Sequence, residues 1–157
     1  MEEKYSSIPD TMAHKRNIEN VLGVLIEELK IRMDTHDNSK LVEPELSCYD
    51  KYIPMLQKTK YGTSEYFKVK KAMEEEGLKH HFAENRHHPE HWNNDISRMT
   101  LVDLVEMFAD HYAASLRSDT GFISGETTNA ERYKYPDTLL KIFLNTYKEY
   151  FDPRKDI

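Results

Sequence analysis

The chain has 157 residues, 38% hydrophobic and 32% charged, with 28 acidic against 22 basic side chains and a formal net charge of −6. At this length one domain of ordinary core size is expected, and a lone cysteine, Cys48, excludes a disulfide-framed module and points to a reducing cytoplasm. The acidic balance argues against general nucleic-acid binding, and with no run of about 18 apolar residues and no basic-then-apolar leader the expectation is a soluble protein that does not enter a membrane.

Five glycines and six prolines leave little punctuation for hairpins, so an all-α, single-domain bundle of five or six helices is expected over residues 1–157, with its core from about 11 to 150. After Pro9, Asp10 can cap a helix from about Thr11 to Met33, whose Ile18, Val21, Leu22, Leu25, Ile26 and Leu29 follow the helical repeat. Asp34 and Thr35 offer a turn or a new cap. Leu41, Leu46, Tyr49, Tyr52 and Ile53 continue at helical spacing, with Pro44 kinking the segment or restarting it as a first-turn residue. KTKYGTSE reads as loop, after which Thr63 or Ser64 caps a third helix running toward Glu76, and Gly77 bends or ends it. LKHHFAENRHH reads as helix up to His88, where Pro89 biases its predecessor away from helical geometry. TLVDLVEMFADHYAASLR is the most strongly patterned helix, SDTGFISGETTN reads as loop, and Asp137 to Tyr150 closes the domain.

Histidine is the unusual residue: five of eight lie between Lys79 and Trp92. On a helix, His81, Asn85 and His88 stand at i, i+4 and i+7, with His80, Glu84 and His87 on the adjacent face. Neutral imidazole is the commonest transition-metal ligand, so this cluster is a candidate metal site, and which member of each adjacent pair turns inward stays open. His36-Asp37 is a second candidate, able to grip one ion only from a helix end or bend, because neighbouring side chains on a helix diverge by roughly 100°. A third is the carboxylate stripe Asp103, Glu106 and Asp110, opposite Leu101, Leu104, Val105 and Phe108; Asp110 is its best candidate for an anionic ligand.

Read in order, His36-Asp37-x-x-Lys40, His81, His87-His88-Pro89-Glu90 and Asp110 resemble the ligand order of the HD superfamily of metal-dependent phosphohydrolases. More closely, the chain resembles an uncharacterised family frequent in phage and bacterial genomes. The matching motifs are His36-Asp37-x-Ser39-Lys40-Leu41 with Glu45, then His81, Asn85 and His87 to His91, then Met99, Leu101, Asp103, Leu104, Glu106, Met107 and Asp110, then Asn129, Arg132 and Tyr133. The resemblance implies an HD-domain-like fold and one or two divalent transition metal ions (Mn, Fe, Zn, Co or Ni). In the implied arrangement His36, Asp37 and Asp110 hold a first ion, and His81 and His88 hold a second or extend the site, with Asp37 bridging. His14, His80 and His87 are additional ligand candidates.

The implied reaction is hydrolysis of a nucleotide or other small phosphoester by metal-activated water. Lys40, Arg86, Arg117 and Arg132 are the cations available to phosphate, and Glu90 or Glu106 would order water or orient an imidazole. A small phosphorylated substrate is thus the expected partner, and a homodimer is compatible with the abundant aromatics. Two other readings are a dinuclear-iron oxygenase and a metal-stabilised phage or bacterial binding protein without catalysis. HD enzymes carry a further histidine on the first helix, for which His14 is the sole candidate. In an unbroken helix the 22 residues from His14 to His36 rise about 33 Å, so His14 reaches a shared ion only if the chain folds back, for instance at Gly23.

Overall fold

The computed structural model describes residues 5–60, 63–117 and 119–154, and among them every regular element is helical. Tyr61, Gly62 and Ser118, which fall in the two expected loops, lie outside the described residues. The chain divides into two compact units, residues 1–36 and 37–157, each considered by itself.

The first unit is one helix, α1 (Ile8–Thr35). It starts three residues before the expected Thr11, because Pro9 fits the first turn, where its missing N–H leaves no bond unmade. Asp10 is therefore not the cap. It lies in the first turn, where its carboxylate suits the positive end of the helix and accepts the Tyr5 hydroxyl at 2.6 Å. The helix also runs through Asp34 and Thr35, the positions expected to turn; the break comes at His36, the C-cap, whose N–H bonds the Arg32 carbonyl at 2.8 Å. Gly23 lies inside this continuous helix. The folded-back arrangement is therefore absent, and His14, about 33 Å from His36 along the axis, cannot share an ion with it. No residue of α1 is buried, and Ile18, Val21, Leu22 and Ile26 are all exposed.

The second unit opens with Asp37 in the left-handed region (φ 55°), followed by a short 3-10 turn, Asn38–Leu41. α2 (Glu45–Lys58) starts immediately after Pro44, which acts as the restart rather than a kink. Thr63 caps α3 (Ser64–Met73), its hydroxyl accepting from the Tyr66 N–H at 3.2 Å. Gly77 neither ends nor breaks the run: residues Glu74–Leu78 form a wide π-type turn that feeds directly into α4 (Lys79–Glu84). Cys48 and Tyr52 of α2 pack on Val69 and Met73 of α3 as one small core. Gly77 is buried against it, so close that an added Cβ would stand 2.5 Å from the Cys48 sulfur.

A larger core joins α5 (Leu101–Ser115), α6 (Gly121–Tyr133) and α7 (Asp137–Tyr150) through Met107, Phe108, Phe122, Tyr133, Leu139 and Phe143. Thr100 and Asp103 form a reciprocal capping box at the start of α5. Of the apolar face opposite the carboxylate stripe, Phe108 is buried and Leu104 packs against the core, but Leu101 and Val105 are exposed, while Val102, Asp103, Glu106 and Met107 are buried. The expected loop at 118–129 is instead mostly α6. Its composition is poor for a helix, but Phe122, Glu126, Ala130 and Tyr133 recur at helical spacing and all are buried, so packing of that stripe outweighs propensity. No helix among the described residues is long and apolar enough to cross a membrane.

Gly77 supplies the first prediction. Gly77→Ala should cost about 1–3 kcal/mol, since the new methyl meets both the sulfur and the Cβ of Cys48 on a packed helix. The expected readout is a lower urea midpoint at unchanged m-value.

Candidate functional site

The buried ionisable residues Glu45, His81, His87, Asp103, Glu106 and Glu126 come from elements of both cores of the second unit. Asp37 begins the site. Its left-handed backbone, which a short polar residue tolerates, starts the 3-10 turn that brings the Lys40 ammonium to 2.5 Å from Asp37 Oδ2. The same turn lets the Ser39 hydroxyl donate to Glu45 Oε2 at 2.9 Å. Glu45, with no exposed surface, spreads its carboxylate over two histidines: Oε1 lies 2.8 Å from His80 Nδ1, and Oε2 lies 2.8 Å from His81 Nδ1.

The helix carrying His81 stops at Glu84. Asn85 is extended (φ −110°, ψ 103°), and its amide N–H groups donate to Ser39 Oγ and to the His81 carbonyl, each at 2.8 Å. His88 is extended as well, as a residue before proline should be. The expected helix to His88, with His81, Asn85 and His88 on one face, is thus corrected. The chain turns, and the turn allows both His87 and His88 to face His81.

The geometry of this unit is tight. His81 Nε2 lies 2.8 Å from His88 Nε2 and 3.4 Å from Asp37 Oδ1. His87 Nε2 lies 3.7 Å from Asp37 Oδ1 and 4.0 Å from Asp110 Oδ2, and His87 Nδ1 is 3.2 Å from Glu106 Oε1. One donor atom from each of Asp37, His81, His87 and His88 falls within 4.8 Å of the others, so the group can hold a metal ion. Burial holds the His81 imidazole below its ordinary pKa, helped by the Lys40 charge. Burial, with His87 and His81 alongside, lowers His88 to about 2. Both rings are therefore neutral, the form that binds metals.

His36 is peptide-bonded to Asp37 at the end of α1. Several expected roles go elsewhere. His80 is spoken for by Glu45 and is half exposed. His91 Nδ1 meets the Phe82 carbonyl at 3.0 Å and its ring abuts Trp92. Glu90 faces α6: its Oε1 accepts from the Tyr133 hydroxyl at 3.1 Å and from Arg132 at 3.2 Å, which ties Arg132 to it as well. Arg86 binds both Asp103 oxygens, at 3.2 and 3.1 Å, and lies 4.4 Å over the Trp92 ring, so this cation braces the fold instead of facing a phosphate. Arg117 lies in the turn after α5 and is exposed.

An open cavity of about 580 Å³ adjoins the cluster, bounded at one end by His88 and Asp110 and extending along α5 and α6. His111 and Glu126, paired at 2.8 Å, line it. Glu126 was not a candidate because its segment reads as loop. Glu45, Ser39 and Asn85 stood in the quoted motifs, but nothing in their spacing distinguished a carboxylate that orients histidines from one that faces water.

Residues 3–151 match DUF5662, a family of unknown function. The chain belongs to this family. No curated protein and no solved structure matches it.

Asp103 is a structural carboxylate in this DUF5662 chain, capping α5 and holding Arg86. Burial alone would raise its pKa, but hydrogen bonds from Arg86 and from the Thr100 backbone and side chain outweigh burial and hold it below the ordinary value. A depressed carboxylate stabilises the fold above its unfolded pKa and loses that contribution as pH falls through the folded pKa. Asp103→Ala should lower stability by about 2–4 kcal/mol at neutral pH. Its stability should also fall less steeply than the parent's below about pH 4, which denaturant titrations across pH will read.

Proposed function

We propose that this chain is a divalent-metal phosphohydrolase acting on a small phosphoester. The observation that carries the reading is a pair of carboxylate-backed imidazoles: Glu45 holds His81 Nδ1 and Glu106 holds His87 Nδ1, so that both Nε2 atoms face Asp37. Ligating histidines ordinarily donate their other N–H to a carboxylate in this way, which fixes tautomer and ring orientation. The donor set is nitrogen and oxygen without thiolate, suited to borderline and harder divalent ions.

In this reading Asp37, His81, His87 and His88 would hold the ion, with Asp110 beside them. A divalent ion supplies Lewis acidity for the attack of water on phosphorus. The chain's own residues do the rest. Glu45 and Glu106 keep the imidazoles aimed, and Lys40, part-buried beside Asp37, offers a positive charge to a non-bridging phosphate oxygen. Water adds to phosphorus, the ester P–O bond breaks, and the alcohol departs into the adjoining cavity carrying a proton.

The test is elemental analysis of protein purified without an affinity-tag metal, joined to a phosphate-release screen over nucleotides and sugar phosphates. At least one equivalent of divalent metal is expected, lost in His81→Ala and Asp37→Ala and retained in Asp103→Asn. Glu106→Gln should weaken metal affinity about 10–100-fold. Metal content unaffected by Asp37→Ala and His81→Ala would overturn the site, and a stoichiometric metal without phosphate release from any ester would overturn the hydrolase.

A further inference from the structure

The 28-residue helix α1 contributes no buried residue to the fold. A helix in a folded protein draws most of its stability from packing an apolar face. On α1, Ile8, Met12, Leu22 and Ile26 are 70, 45, 51 and 51% exposed, so among the described residues that face is uncovered.

The order of residues along the face indicates what covers it. Ile8, Met12, Lys15, Glu19, Leu22 and Ile26 follow one another at intervals of four, three, four, three and four, the alternation with which one helix seats another. All six are exposed, whereas Leu25 and Leu29 are half-buried and stand outside this free stripe. The stripe is also its own mirror image in chemistry. About its midpoint, level with Asn17, each apolar residue has an apolar counterpart and the one cation, Lys15, has the one anion, Glu19. A two-fold interface between identical chains requires this self-complementarity, and an unrelated partner does not.

Charge fixes the direction. Two copies laid parallel and in register would set Lys15 on Lys15 and Glu19 on Glu19, like charges in successive layers. Laid antiparallel about Asn17, Ile8 of one copy faces Ile26 of the other, Met12 faces Leu22, and Lys15 faces Glu19, each pairing occurring twice. Four apolar layers then flank two matched ion pairs. The antiparallel register one heptad along, with Ile8 opposite Met33 and Met12 opposite Leu29, also makes four apolar layers. It sets Lys15 against Ile26 and Glu19 against Leu22, so every charge in the seam loses its partner. Arg16 lies on the rim beside the axis, where its long stem lets the guanidinium stay in water.

The size of the stripe sets the strength. Ile8 to Ile26 is about 28 Å of helix, and a strip about 15 Å wide over that length is roughly 400 Å² per copy, the low end for specific association. Micromolar pairing follows from such an area.

We propose that the stripe from Ile8 to Ile26 is a homodimer interface, in which α1 pairs antiparallel with α1 of a second copy of this chain. No residue of the stripe belongs to the histidine cluster, so the proposal stands apart from the hydrolase reading.

The experiment is sedimentation equilibrium of the full chain from about 1 to 200 µM, with circular dichroism of each variant as the check on folding. The parent should show a reversible monomer–dimer equilibrium in the micromolar range. Leu22→Glu should leave only monomer, with helix content unchanged. Lys15→Glu and Glu19→Lys each make both central pairs like-charged and should weaken association about tenfold or more. The double variant Lys15→Glu/Glu19→Lys restores opposite signs and should associate as the parent does. Because it carries both substitutions, its recovery separates lost pairing from lost folding. A parallel pair predicts otherwise: its layers stay like-charged in every variant, so neither single reversal would weaken it. A parent that is monomeric throughout, a dimer indifferent to Leu22→Glu, single reversals that leave association unchanged, or a double variant as weak as the singles would each overturn the proposal.

Discussion

The carboxylate of Glu45 is the constraint around which the rest of the second unit is arranged. It is fully buried at the start of α2, and an ionised carboxylate out of water carries a desolvation penalty of several kcal/mol unless its oxygens find donors. Three side chains supply contacts: His80, His81 and Ser39, at 2.8, 2.8 and 2.9 Å. The positive end of α2 contributes from behind. The consequence passes to His81, whose Nδ1 is committed to Glu45, so its Nε2 is turned toward Asp37 and His88. Glu106 repeats the arrangement for His87 from α5. The two backing carboxylates thus stand on helices belonging to different cores, and the cluster is positioned by the packing of both.

Part of this was legible in the residues themselves. The histidine surplus between Lys79 and Trp92, the His36-Asp37 pair at the end of a helix and Asp110 on α5 were all visible, and Asp37, His81, His87, His88 and Asp110 do come together. The route by which they meet was not. A continuous helix would have placed His81 and His88 on one face and forced a choice between His87 and His88. The extended backbone of Asn85, fixed by its hydrogen bonds to Ser39 and to the His81 carbonyl, breaks that helix and lets both turn in. A partner 46 residues upstream thereby overrides a local helical pattern, and no periodicity in the segment announces it.

The carboxylates show the same limit from the other side. Asp103, Glu106 and Asp110 are equivalent as a sequence stripe, but they have different roles: Asp103 caps its helix and holds Arg86, Glu106 backs His87, and Asp110 lies near the cluster. Spacing gives a shared face, and only the chain packed against that face assigns the roles. α6 was missed for a related reason. Its glycines, serines and threonines have turn-forming propensities, whereas the signal that makes it helical is four buried residues whose burial exists only once α5 and α7 are in place.

The placement of the cations follows from these assignments. Of the cations that sequence offered to phosphate, Arg86 is locked between Asp103 and the Trp92 ring, and Arg132 is held by Glu90 above the Tyr133 ring. Both are fixed by contacts that a displaced side chain would leave behind as a buried or part-buried carboxylate, so neither is easily recruited. Lys40 is different, since the carboxylate it touches, Asp37, is itself part of the cluster. The described residues lining the cavity along α6 include Asp110 and Glu126 and no lysine or arginine. Where these arginines are detained is set by packing, and the net charge of −6 carries no trace of it.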